Sequence, residues 1–240
     1  MKRLGSAILA SLLVALIWTQ FAQSDTGDAK SAEFKYARIR YHLSPYQRYR
    51  GEVPWHHDYP YGDELFSSFV EKVTRVSTAS AGFQIVDIDS KELFKYPFAY
   101  MCEPGYLELL PDDVKNLREY LDRGGFILVD DFRQRWTLEN LIVQMKKVYP
   151  DREIVPLELE HEIFHTFYDM KTLNVRPPYG NEPVEFLALK DPHGNIQMIV
   201  NYNNDLSEYW EWIDRGEMPL RQAVESLQFA VNYLVYSFSH

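Results

Sequence analysis

The chain has 240 residues, a formal net charge of −10, 46% apolar and 15% aromatic residues, and one cysteine. That much apolar chain suits one large domain and excludes a disordered or collagen-like polypeptide. A single thiol excludes a disulfide scaffold, and the acidic balance argues against nucleic acid as a partner held through its phosphates.

Lys2 and Arg3, the apolar run from Leu4 to Trp18 and the stretch Ala22-Gln23-Ser24 have the layout of a secretory signal peptide over residues 1–24. The run is short for a spanning helix, so export to the periplasm or the medium is expected. Membrane contact is then confined to this segment, whether cleaved or retained as an anchor. Residues 25–33 read as a linker and residues 34–240 as a single domain.

Phe34 to Tyr41 alternates with β-favouring residues and predicts a first strand. His42 to Gly62 is a long loop rich in Tyr, Pro, His and Arg. Asp63 is placed as the N-cap of a helix carrying Phe66, Phe69, Val70 and Val73 on one face. Phe83–Ile88 and Phe94–Cys102 predict a second and a third strand. Pro111 opens a helix that Gly124-Gly125 stop. Phe126–Val129 predicts a fourth, buried strand that ends in Asp130-Asp131. Trp136–Tyr149 predicts a further helix, whereas Asp151–Pro183 shows little periodicity. Val184–Leu189 and Ile196–Tyr202 predict a hairpin turning at Asp191–Asn195. Pro219–Phe238 predicts a docking helix with Leu220, Val224, Leu227, Ala230, Val231 and Leu234 on one face. This order predicts an α/β fold with a mostly parallel sheet flanked by helices and a late antiparallel hairpin.

Several segments together resemble a known family. They include Trp55-x-x-Asp58-Tyr59-Pro60, Tyr100-Met101-x-Glu103-Pro104-Gly105, Leu117-Arg118-x-Tyr120-Leu121-x-x-Gly124-Gly125-Phe126 and Asp130-Asp131-Phe132. His161-x-Ile163-Phe164-His165 and Asn203-Asn204-Asp205-Leu206 follow. The chain resembles the bacterial domain of unknown function 4159 family over nearly all of residues 34–238. The resemblance implies a flavodoxin-like fold of the class I glutamine-amidotransferase type and an envelope or secreted setting. It also implies a functional link to MoxR-type ATPases and von Willebrand A-domain proteins. No reaction comes with it. The turn after the fourth strand, where a working amidotransferase carries its Cys, holds Asp130-Asp131-Phe132, so thiol chemistry lacks its nucleophile. Cys102 reads as a small buried hydrophobe.

In open α/β sheets ligands bind beyond the carboxyl ends of the strands. Asp130 and Asp131 stand there, suited to a metal, a polyol or acid–base work, or else to capping and pairing with Arg133 or Arg135. His56-His57-Asp58 in the long loop suits zinc or another transition metal, or else is an exposed aromatic-rich loop; Asp58, framed by Trp55 and Tyr59, and Asp205 after the hairpin, with Asn203 beside it, would join them. His161 completes the expected rim of Asp58, Asp130, Asp131, His161 and Asp205. No cofactor is predicted, though a divalent metal suits this set. Tyr209, Trp210 and Trp212, near the acidic Glu208 and Glu211, offer either an aromatic platform for sugar rings or cations or a packing ridge.

His161-Glu162-Ile163-Phe164-His165 matches H-E-x-x-H, with His161 and His165 as zinc ligands and Glu162 as base if one helix carries all three. The strand-like alternation at Leu157–Glu160 and the β-branched and aromatic residues from Ile163 to Tyr168 argue against that helix. The leading expectation is a binding or assembly module without catalysis, holding a small ligand or an envelope partner. A hydrolase using Asp130, Asp131 and His161 is the alternative, and a zinc peptidase the third.

Overall fold

A computed structural model describes residues 33–45, 51 and 53–240. The leader read over 1–24, most of the linker and part of the long loop lie outside the described residues. Phe34–His240 forms one compact unit. Among the described residues no helix is long and apolar enough to cross a membrane.

Seven strands form one sheet: β1 (Phe34–Arg40), β2 (Thr78–Asp87), β3 (Phe98–Cys102), β4 (Phe126–Asp130), β5 (Ile154–Pro156), β6 (Glu185–Lys190) and β7 (Ile196–Tyr202). Their order is β2-β1-β3-β4-β7-β6-β5. β2, β1, β3, β4 and β7 pair in parallel, and β6 runs antiparallel to both β7 and β5. The predicted α/β class and late hairpin are as found. The three-residue β5, hidden in the aperiodic stretch, adds an edge to that hairpin.

The helices are α1 (Tyr61–Val73), α2 (Pro111–Asp122), α3 (Arg135–Val148), α4 (Leu206–Glu211) and α5 (Leu220–Ser239). Strand side chains alternate between two faces, so each central strand feeds two cores. Tyr36, Phe98, Tyr100, Phe126 and Leu128 pack with Phe66 and Val70 of α1, Trp210 of α4 and Phe229, Ala230 and Tyr233 of α5. Ala37, Ile39, Ala99, Met101, Ile127 and Val129 pack on the other face with Leu117 and Leu121 of α2 and Leu141, Met145 and Val148 of α3. All five residues of β3 and of β4 are buried, as strands covered on both faces must be. Burying one such aliphatic side chain contributes about 1.5–3 kcal/mol.

Three boundaries differ from expectation by more than a residue. β2 begins at Thr78, five residues ahead of Phe83. α1 begins at Tyr61, with Pro60 at its cap and Asp63 inside the first turn. Asp63 is drawn inward because the buried guanidinium of Arg38 needs a partner. β3 begins at Phe98. The residues before it, Lys91–Lys95, form a 3-10 turn capped by the Ser90 hydroxyl, and Pro97 intervenes.

The connections place the site. β1 leads outward to β2, and the chain then returns past β1 to β3. The β1–β3 boundary is therefore a topological switch point, where loops leave the sheet in opposite directions and open a crevice at the strands' carboxyl ends.

Candidate functional site

Four strand ends meet at this crevice. After β1, Pro54–His56 forms a 3-10 turn that leads into His57 and Asp58. Arg38, buried in β1, holds that turn. Its guanidinium grips Asp63 at 2.8–3.2 Å and donates to the carbonyls of Trp55 (3.1 Å) and His57 (3.0 Å). The Tyr100 ring lies 4.7 Å from the same guanidinium, and Tyr36 donates its hydroxyl to Asp63 at 2.6 Å. A buried charge is tolerable only when paired and hydrogen-bonded in this way. The Cys102 thiol also lies here, buried and donating to the Pro54 carbonyl at 3.2 Å, and burial pushes its pKa well up. It packs as the sequence suggests and carries no thiolate.

After β3 comes Glu103, after β4 Asp131, and after β7 the segment Asn203–Asp205. Asp130, the last residue of β4, is fully buried. Its Oδ2 accepts from the amides of Leu206 (2.7 Å) and Ser207 (3.2 Å). Asp130 thereby fastens the start of α4 to the sheet, while Asp205 caps that helix by accepting from the Glu208 amide at 2.9 Å. The Ser207 hydroxyl donates to Asp58 Oδ2 at 2.6 Å and lies 2.7 Å from the Tyr100 hydroxyl. His57 Nδ1 sits 2.6 Å from Asp131 Oδ2 and 3.8 Å from Asp58 Oδ1. Arg133 reaches Asp205 at 3.5 Å and Asp131 at 3.8 Å. Arg135, the other cation considered for Asp131, pairs with Glu139 in solvent instead.

Among the described residues, five non-glycine residues have positive φ: Asp58, Glu103, Asp131, Gln134 and Asn203. All five lie in the loops at the carboxyl ends of β1, β3, β4 and β7. Each left-handed residue costs about 1 kcal/mol or more, and such conformations concentrate where a site dictates the backbone.

The charge balance is uneven. Asp58, Glu103, Asp131, Asp205, Glu208 and Glu211 converge, with His57 and Arg133 as the nearby cations. Burial pushes the Glu103 carboxyl up to about 7, with His57 opposing and Asp58 adding to the rise. Burial also pushes Asp130 to about 7 against the pull of the α4 amides. Glu211 reaches about 7 through burial and the fields of Asp58 and Glu208. Asp131 and Asp205 rise well above the ordinary range through burial and neighbouring carboxylates. Burial works against the His57 proton, but Asp58, Asp205 and Glu103 outweigh it and raise the imidazole. One Glu103 carboxylate oxygen is buried without a hydrogen-bond partner. His57, Asp58 and Asp131 each place a ligand atom within 4.8 Å of the others, and so do Asp58, Glu208 and Glu211. The two sets share Asp58. A cleft of about 320 Å³ opens beside them, lined by His57, Glu103, Asp131, Arg133, Trp136 and Tyr179 among others.

Of the residues singled out in the sequence, Asp58, Asp131, Asp205 and His57 meet here. Asp130 lies beneath them as a structural acceptor. Asn203 stands at the edge, its amide donating to the Pro183 carbonyl at 3.0 Å. Trp55 contributes its carbonyl, while its ring packs in the other core.

His161 does not join the rim. It lies by Tyr236, whose hydroxyl accepts from the Ile196 amide at the start of β7, so it belongs toward the opposite end of the strand. The helix required by H-E-x-x-H is absent as well. Glu162–Phe164 is a single 3-10 turn, His161 is extended, and His165 sits exposed between Asp169 and the Leu159 carbonyl. The two imidazoles do not form the zinc pair of a helical motif, because the β-favouring residues between them keep the backbone from continuing as a helix. Tyr209 and Trp210 are core residues, Trp210 stacking on Phe66 at 4.8 Å, so they form a packing ridge.

Glu103 and Tyr179 are not expected at the site from the sequence, and Glu208 and Glu211 stand out there only as the carboxylates beside Tyr209, Trp210 and Trp212. Glu103 had a signal, since it directly follows a buried strand. Glu208 and Glu211 stand three residues apart and share a helical face, but α4 is too short for its periodicity to stand out. Tyr179 arrives from the aperiodic stretch and has no local signature.

The family described as Domain of unknown function (DUF4159) matches residues 35–238. The chain belongs to that family. No curated protein matches the sequence.

Proposed function

We propose that this DUF4159 member is a non-catalytic binding module that holds a small, oxygen-rich ligand at the strand-end cleft through a divalent cation. One observation carries the reading: two triads of ligand atoms, each within 4.8 Å, share the buried Asp58 in a surplus of negative charge, and His57 and Asp131 of one triad also line the cleft. Carboxylate oxygens suit Mg²⁺, Ca²⁺ or Mn²⁺, and His57 widens the choice toward Zn²⁺. The cation would offset the mutual repulsion of these converging carboxylates, and its open positions would receive ligand oxygens. The expected export of the chain is part of this reading, as is a link to envelope ATPase and von Willebrand A-domain partners.

The test uses the chain expressed whole and purified, without a metal-affinity tag, as the host processes it. Elemental mass spectrometry and calorimetric titration with Mg²⁺, Ca²⁺, Mn²⁺ and Zn²⁺ should find one cation bound. Asp58→Asn should weaken it by at least about tenfold, the scale on which ligand-shell changes act. Asn tolerates the left-handed backbone at position 58, so the fold should persist. A wild type that binds none of the four ions, or unchanged affinity in both Asp58→Asn and Asp131→Asn, would sink the reading.

A second reading, hydrolysis, is favoured by one contact. Asp131 engages His57 Nδ1, which leaves the other edge of the imidazole for the cleft, as in a base oriented by a carboxylate. Turnover of ester or glycoside substrates by the chelator-treated chain, abolished by His57→Gln, would select this reading over the first.

A further inference from the structure

The cleft has a second wall that the cation does not use. Trp136, in the first turn of α3, is 40% exposed, and Tyr179 is 47% exposed, yet both line the same cavity as Glu103, Asp131 and Asp205. Large aromatic rings are usually withdrawn from solvent, and paired exposure beside convergent polar groups marks a contact surface. Neither ring is loose. Tyr106 meets Trp136 edge-on at 5.6 Å, and the Trp136 indole N–H donates to Gln134 Oε1. The Tyr179 hydroxyl donates to Glu208, and Arg133 lies 5.0 Å from the ring.

We propose that the ligand is a neutral carbohydrate, its apolar ring face laid on Trp136 and its hydroxyls turned to the carboxylates. This rests on the strand-end cleft being a ligand site. A sugar ring presents C–H groups on its face and hydroxyl donors at its rim. The cleft presents the complement: an aromatic surface, the acceptors Glu103 and Asp131, and Arg133 as a donor, with Asp205 wholly buried behind Arg133. An acidic sugar is disfavoured by the carboxylates. An organic cation, which could also use the aromatic walls, would meet Arg133 already seated against Tyr179. The cavity, about 320 Å³, lies at the small end of ligand sites and suits one or two sugar rings. A bound divalent cation would strengthen the same contact by accepting vicinal hydroxyls.

Saturation-transfer NMR on the whole processed chain, with and without added Ca²⁺, tests this against mannose, galactose, N-acetylglucosamine and cellobiose. Choline and glucuronate serve as cationic and anionic controls. At least one neutral sugar should bind. Trp136→Ala should lower its affinity about tenfold, and Trp136→Phe should hold it within about threefold, the difference an aromatic face makes. Cation binding should be unchanged in both variants. Circular dichroism checks folding, which a partly exposed first-turn residue should not control. Binding of choline alone, of no sugar, or of a sugar with unchanged affinity in Trp136→Ala overturns the carbohydrate proposal. Cation uptake without sugar binding leaves the module reading standing, and sugar binding without cation uptake removes the cation bridge alone. Failure of both removes both.

Discussion

Arg38 shows how a residue far from the cleft surface can decide its geometry. It satisfies Asp63 and, with its remaining donor, holds two carbonyls of the turn that presents His57 and Asp58. Arg38→Met leaves the Asp63 carboxylate buried and unpaired, which should cost about 3–5 kcal/mol in urea unfolding. Adding Asp63→Leu should restore much of that stability, because no orphan charge remains. Cation affinity should stay low in the double variant, since the turn is still unheld. If both properties recover together, Arg38 acts on stability alone. At this scale the sequence was partly readable. Asp131 and Asp205 lie at predicted strand ends, and their meeting follows from the strand-end rule. Arg38 looked like an ordinary alternating strand residue, since nothing local says that its inward face meets Asp63.

Elements set the spacing of the four strand ends. The 3-10 turn Pro104–Tyr106 follows Glu103 and packs on α3 so closely that a Cβ on Gly105 would lie 2.4 Å from the Thr137 methyl. Gly105→Ala must push the turn off the helix and should cost about 1–3 kcal/mol, as overpacking does. It should also weaken ligand binding, because Glu103 and Trp136 sit on the two parts that separate. Thr137→Ser removes the methyl but keeps the hydroxyl that donates to the Arg133 and Gln134 carbonyls. Placed with Gly105→Ala, it should recover only part of the loss, since the Thr137 Cβ would still lie 2.6 Å from the added carbon; a strictly additive cycle in thermal melts would show that the methyl takes no part in the clash. The strands and longer helices announced themselves by periodicity and caps. β5 and α4, at three and six residues, span too little chain for a period to show. The histidine motif misled for a related reason: its spacing matches a helix, but the intervening residues favour another backbone, and spacing says nothing of which end of the sheet a loop visits.

The whole molecule should feel its concentrated carboxyls as a pH dependence of stability. Glu103, Asp130 and Glu211 have ordinary values of 4.5, 3.8 and 4.5 and rise to about 7 in the fold. Between roughly pH 4 and 7 the unfolded chain releases these protons while the folded chain keeps them. The native state then binds more protons, so stability falls as pH rises. His57, raised as well, contributes in the same direction: its stabilisation is present at low pH and is lost as pH climbs through its folded value. With chelator present, the melting temperature should therefore be several degrees higher at pH 5 than at pH 8, where each ~1 kcal/mol corresponds to about 2–4 °C. A saturating divalent cation should raise the pH 8 value more than the pH 5 value. A melting temperature flat across this range, or rising toward pH 8 without metal, would contradict the charge balance described for the cleft.

The pairing of β4 with β7 has a kinetic side. Ile127 meets Met198 only after a long intervening chain has looped away and returned. Closing such a loop costs entropy before any contact repays it, which slows formation of this seam. Asp131 hangs from one side of the seam, and Asp205 and α4 from the other, so the cleft should be among the last parts of the molecule to assemble. A ligand that bridges them has nothing to grip in the transition state. It should slow the unfolding limb of a chevron plot while leaving the refolding limb where it was. The occupant of this cleft would then be a latch on a finished structure and no template for building one.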